Sequence, residues 1–197
     1  VHAGALVPLA VLVFDFFAGR LSINPIQDLT RRTGQLALIF LLASLACTPA
    51  SSLVAFRQAL ALRRPLGLYS FYYAFFHLLL FVWADYRFNF YYIWLDIGQK
   101  AYIYAGISAF LILSALAFTS FDRWKKRMGK SWKRLHRLVY PAAGLVALHY
   151  AWVKKADILR LTGEVTGPLV AIGVLALLLL IRLPPLRRRL ARLFSAH

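Results

Sequence analysis

Six apolar runs, at about residues 2–19, 34–48, 66–86, 102–121, 135–153 and 165–183, divide this chain of 197 residues. Stretches of that length and apolarity are what a helix needs to cross the hydrocarbon core of a bilayer. With 61% hydrophobic residues and a mean hydropathy of +0.65, the chain is too apolar for a soluble domain of its size. The reading is an all-α integral membrane bundle of six transmembrane helices, one transmembrane domain over residues 1–197, with no soluble domain. The numbered chain starts at Val1 and not Met, so residues are expected before it, and no cleavable signal is read from this start.

The connecting segments carry the polar residues. Residues 20–33 contain an Asn-Pro turn signal and read as a short loop, while 50–65 close on Arg63, Arg64 and Pro65 and read as a connection on the membrane surface. Residues 87–101 combine Tyr, Phe and Trp with Asp96 and Lys100, the composition of an interfacial belt. After Pro184 and Pro185 the tail is basic and amphipathic, with Arg187, Arg188, Arg189 and Arg192. The net charge of +17 falls in clusters between apolar runs and not along a groove, which fits lipid headgroups and not nucleic acid. Placing both termini in the cytoplasm puts sixteen of the 24 Lys and Arg residues inside and eight outside, so the positive-inside rule selects that orientation.

Any metal site has to rest on histidine, because Cys47 is the one cysteine and disulfides, thiolate zinc sites and thioether-linked haem lack their residues. On the stretch from Trp132 to Tyr150, His136 and His149 are thirteen residues apart, roughly 20 Å at helical rise. In one straight helix their side chains point about 140° apart, and Pro141 between them is a place for a kink or rewinding. His77 lies thirteen residues beyond Arg64, which puts it at the depth of His149 on a helix of the same direction. Low-spin haem b takes two imidazoles from neighbouring helices on opposite faces of the porphyrin, and His77 with His149, flanked by Phe75, Phe76, Leu148, Tyr150 and Trp152, suit that role.

His136, near the inner surface, has no evident histidine partner. The matching position on the third helix is Arg64 or Arg63, and a guanidinium does not ligate iron but suits a haem propionate or a flavin phosphate. His2, at the inner start of the first helix, is the other candidate, against the simpler reading of a surface histidine.

Four blocks carry a family resemblance: residues 24–49 (NPIQDLTRRTGQLALIFLLASLACTP), 63–81 (RRPLGLYSFYYAFFHLLLF), 116–140 (LAFTSFDRWKKRMGKSWKRLHRLVY) and 148–152 (LHYAW). Through them nearly the whole chain resembles the MsrQ (YedZ) family, haem-binding membrane subunits of the bacterial periplasmic protein-methionine-sulfoxide reductase system, within the ferric reductase-like transmembrane superfamily. The resemblance implies one or two haem b groups and carries the family's ligand histidines onto His77, His136 and His149. It also implies electron transfer in the bacterial inner membrane, from a cytosolic flavin reductase or quinol to a periplasmic molybdopterin subunit. Relatives in the wider superfamily hold two haems with four histidines, and this chain departs from them at Arg63 and Arg64. Some family members hold FMN, for which the sequence offers only the basic inner loop.

Two other readings stand beside this electron conduit: a ferric or quinone reductase on the same helices, and a non-haem six-helix transporter. A transporter is expected to repeat polar or broken helices in corresponding positions of two halves, and no such repeat is read here. An absorption spectrum separates the classes, since purified protein without a Soret band leaves the transporter reading standing.

Overall fold

A computed structural model describes residues 2–53, 56–155 and 163–183. The basic tail from residue 184 onward, with its arginines and His197, and Arg160 lie outside the described residues. Every regular element described is helical: α1 His2–Phe17, α2 Pro25–Leu53, α3 Ala59–Leu80, α4 Phe90–Gln99, α5 Ala101–Phe118, α6 Asp122–Met128, α7 Lys130–His136, α8 Val139–Val153 and α9 Thr166–Leu180. A π-helical turn, Phe81–Asp85, extends α3. The protein is an all-α, multi-pass membrane bundle. By length and composition Pro25–Leu53, Ala59–Ala84 and Ala101–Phe118 can each cross a bilayer, and α1 and α9 are apolar but shorter. Large side chains such as Phe17, Trp94, Leu111 and Leu177 are exposed, as a lipid-facing surface requires.

Several boundaries differ from the apolar runs. Helix α2 begins inside the segment read as a loop, because Asn24 accepts from the Gln27 N–H through its side chain (3.2 Å) and Pro25 occupies the first helical position. It also runs through Pro49, where the second run was expected to stop. Proline there has no N–H for the Leu45 carbonyl one turn back, and the guanidinium of Arg182 donates to that carbonyl instead. In place of a surface connection at 50–65, the end of α2 and the first turns of α3 are helical, with Pro65 inside α3. The stretch from Trp132 to Tyr150 is two helices and not one kinked at Pro141. It breaks at Arg137 and Leu138, so the angular objection to using both histidines falls away.

The tightest packing occurs in two antiparallel pairs, α2 with α3 and α5 with α8. Side-chain bonds to backbone carbonyls link α2 and α3 along their length: Ser44 Oγ donates to Arg63 O and Ser70 Oγ to Ala37 O, both at 2.8 Å. Pairing of α5 with α8 rests on small residues, with Ala105 and Ala109 buried on one and Ala143, Ala147 and Ala151 on the other, which lets the backbones approach closely. Leu41, Leu45, Leu113, Ala142, Leu175 and Leu178 join the pairs and α9 in one core. Outside the core, Lys154 donates to Glu164 between α8 and α9 and holds that carboxyl below its ordinary value.

Helix α1 runs alongside α3 in the same direction, with His2 beside Tyr69 and Ala5 beside Tyr73. At its far end Arg32 bridges Asp15 and the buried Asp28, at 3.0 Å to each. Tyr73 Oη donates to the Ala5 carbonyl (2.7 Å), a buried neutral bond worth about 1 kcal/mol. Tyr73→Phe should therefore lower the thermal midpoint of the detergent-solubilised protein by about 2–4 °C while leaving helix content unchanged. An unchanged midpoint in a melting curve would mean that the Tyr73 bond contributes nothing to holding α1 on α3.

Candidate functional site

Each tight helix pair presents one imidazole in the same way. His77 on α3 donates its Nδ1–H to the Thr30 carbonyl of α2 at 2.7 Å, and His149 on α8 donates its Nδ1–H to the Tyr102 carbonyl of α5 at 2.8 Å. Both bonds span 47 residues of sequence. One turn beyond each carbonyl sits a glycine, Gly34 or Gly106. A Cβ at Gly34 would lie 2.9 Å from His77 Nδ1, and one at Gly106 would lie 2.8 Å from His149 Nδ1. Both positions need the missing side chain for the ring to lie against the backbone.

The consequence for each ring is a fixed tautomer. With the proton held on Nδ1 by a carbonyl, Nε2 keeps its lone pair, the arrangement of histidines that bind metals. The two rings face one another with centroids 6.0 Å apart and planes at 85°. Two metal–nitrogen bonds of about 2 Å and two ring radii of about 1 Å add to roughly the same span. The geometry fits a single metal centre clasped between His77 and His149. Next to the pair in sequence, Phe75, Phe76, Leu148 and Trp152 are exposed large apolar groups, and the Tyr102 ring lies 6.0 Å from that of His149. Among the described residues no three His, Cys, Asp or Glu side chains gather as they would for a metal ion held by protein alone.

His136 lies apart from this pair. Its ring stacks on Trp132 with centroids 3.9 Å apart and donates from Nδ1 to the Trp132 carbonyl (3.1 Å), while Nε2 is buried and the Leu116 backbone of α5 lies near the ring. Trp132 itself is fixed by donation from Nε1 to the Thr119 carbonyl (2.8 Å), which seats the basic α6–α7 segment on the end of α5. Among the described residues no second histidine meets His136, and His2 lies against Tyr69, with Nδ1 2.9 Å from its Oη. The two arginines diverge. Arg64 lies 3.5 Å from Asp122, and Arg63 lines a cavity with Arg182 and Tyr140 while its charge reaches His136 and Cys47.

Residue-by-residue reading of the sequence missed Thr30, Gly34, Tyr102 and Gly106. A signal was present: each glycine precedes its histidine by 43 residues, so the two units repeat at an offset of 72. At that offset Arg64 corresponds to His136. The chain does contain a repeat, of a ring-holding helix pair and not of the broken helices that a transporter would show.

Comparison with known proteins places this architecture. Residues 31–147 match the family model described as ferric reductase like transmembrane component. A protein of Rhodospirillum rubrum named protein-methionine-sulfoxide reductase heme-binding subunit MsrQ is 44% identical over 190 residues, covering 96% of this chain and 88% of that protein. Proteins of the same name from Xanthomonas campestris pv. campestris (strain B100) and Xanthomonas euvesicatoria pv. vesicatoria are 38% identical over 185 residues, covering 91% of this chain and 82% of theirs. No solved structure matches. The chain belongs to the ferric reductase-like transmembrane family, and within it to the MsrQ family.

Proposed function

We propose that this protein is a haem b electron-transfer subunit of the bacterial inner membrane, with His77 and His149 as the two axial ligands of one haem. The observation that carries the reading is the matched pair of imidazoles, each with its Nδ1 proton held by a backbone carbonyl and the two ring centres 6.0 Å apart. When bound, the haem supplies a one-electron iron couple that needs no proton or group transfer. The carbonyls of Thr30 and Tyr102 hold the rings in the ligating tautomer, and Gly34 and Gly106 give the rings room. The protein then serves as a conduit and performs no substrate chemistry of its own.

The name of the relatives and the family resemblance support the rest of the pathway. The reductant is a cytosolic flavin reductase or a quinol, and the acceptor is a periplasmic molybdopterin subunit that reduces oxidised methionine. Both termini are cytoplasmic, on the positive-inside count. His136, carried on the basic segment at the inner end, is the site for a second cofactor, a haem with one strong protein ligand or an FMN, and Arg63 or Arg64 is the cation for its anionic groups. A ferric or quinone reductase on the same helices remains the second reading. It shares the two-imidazole site and differs only in the acceptor.

Two outcomes follow. Gly→Ala favours an isolated helix by about 1 kcal/mol, so Gly34→Ala and Gly106→Ala should retain helix content. The added methyl should nevertheless displace the adjacent ring, and both variants should lose most of the absorbance of the bound haem at equal protein concentration. Full Soret absorbance in both would remove the pair from the haem site. The basic segment around α6 and α7 is the docking surface for the reductant. Neutralising Lys125, Lys126 and Arg127 should slow reduction by a cytosolic flavoprotein by about tenfold at low salt, with the difference shrinking as salt rises. Equal rates at low salt, measured by stopped-flow reduction, would assign those charges to lipid alone.

A further inference from the structure

We propose that the cavity between α2, α3, α8 and the end of α9 binds the phosphate headgroup of an anionic membrane lipid, held by Arg63 and Arg182. The cavity has a volume of about 200 Å³ and is lined by Thr48, Ser52, Arg63, Tyr140 and Arg182, with Pro49 and Ile181 closing its sides. Two guanidinium groups share it with no carboxylate. Among the described residues Arg63 makes no ion pair, and Asp122, the one acid nearby in the chain, is engaged by Arg64. Of the other described acids, Asp15 and Asp28 pair with Arg32, and Glu164 pairs with Lys154, all away from this cavity. Among the described residues nothing offsets this pair of cations, which makes the cavity a place for an anion from outside.

The polar groups of the cavity are arranged for an acceptor. Arg182 is fixed by donation to Tyr140 Oη and to the Leu45 carbonyl that Pro49 leaves free, with its guanidinium carbon 5.2 Å from the centre of the Tyr140 ring. Its Nε is buried without an acceptor, and the Thr48 hydroxyl on the same cavity is buried without a partner. A phosphate has oxygens enough to accept from both and from Arg63. The cavity is smaller than the roughly 300 Å³ at which pockets for whole small molecules begin, so it suits a headgroup and not a ring system. Beside it α9 exposes Leu177 and Leu180, an apolar flank for acyl chains. This use of Arg63 leaves Arg64 for a cofactor at His136, and it does not depend on what His77 and His149 hold.

The test is native mass spectrometry and thermal melting of the full-length protein in detergent, with and without added phosphatidylglycerol, phosphatidylcholine, inorganic phosphate or flavin mononucleotide. One phosphatidylglycerol should survive detergent washing and raise the melting midpoint, with phosphatidylcholine doing neither. Arg63→Gln, which breaks no ion pair among the described residues, should weaken that binding about tenfold, and Thr48→Val should weaken it less. Equal retention of both lipids, or retention unaffected by Arg63→Gln, would overturn the proposal. So would protection by inorganic phosphate or flavin mononucleotide, dependent on Arg63, in place of protection by the lipid.

Discussion

The approach of an imidazole to the backbone of a neighbouring helix, made once in each half of the bundle, is the contact on which the rest of the arrangement depends. A ring lying against Gly34 or Gly106 can donate to a carbonyl one turn away only because the glycine leaves that surface bare. The bond settles the tautomer, and the tautomer decides whether the ring can bind a metal. Helix pairing serves this contact. The serine bonds between α2 and α3 and the alanine faces of α5 and α8 hold the backbones close enough for the ring of one helix to reach a carbonyl of the other.

Charge is distributed as unevenly as the rings are evenly placed. At one end Asp15, Arg32 and the buried Asp28 compensate one another within the protein and tie α1 to α2. At the other end the cations outnumber the acids, and what the protein does not neutralise is open to lipid, cofactor or partner. Pro49 contributes through what it lacks. Its missing N–H frees the Leu45 carbonyl, which draws Arg182 to a fixed place in a membrane-embedded bundle where an unsatisfied carbonyl would be costly.

The helical, membrane-embedded character was legible from the apolar runs, and the meeting of His77 with His149 followed from equal counts along parallel helices. Other features were hidden for identifiable reasons. Pro49 and Pro65 read as helix ends because the partners that tolerate them lie far away in sequence, and Asn24 was taken for a loop residue although its side chain caps α2. The break after His136 follows no proline or glycine, so periodicity alone did not separate α7 from α8. Gly34 and Gly106 carry no chemistry of their own and become visible only when the structure shows a ring against each. Placing His136 and Arg63 side by side in depth did not foresee that Arg182, more than a hundred residues away, shares the cavity of Arg63.

The central claim is that His77 and His149 ligate one and the same iron. Low-temperature electron paramagnetic resonance of the oxidised, purified protein tests it most directly, applied to the wild type and to His77→Ala and His149→Ala. The account predicts a low-spin signal from a bis-imidazole haem that disappears in both variants, replaced by high-spin haem or by none. A low-spin signal that survives unchanged in either variant would contradict it.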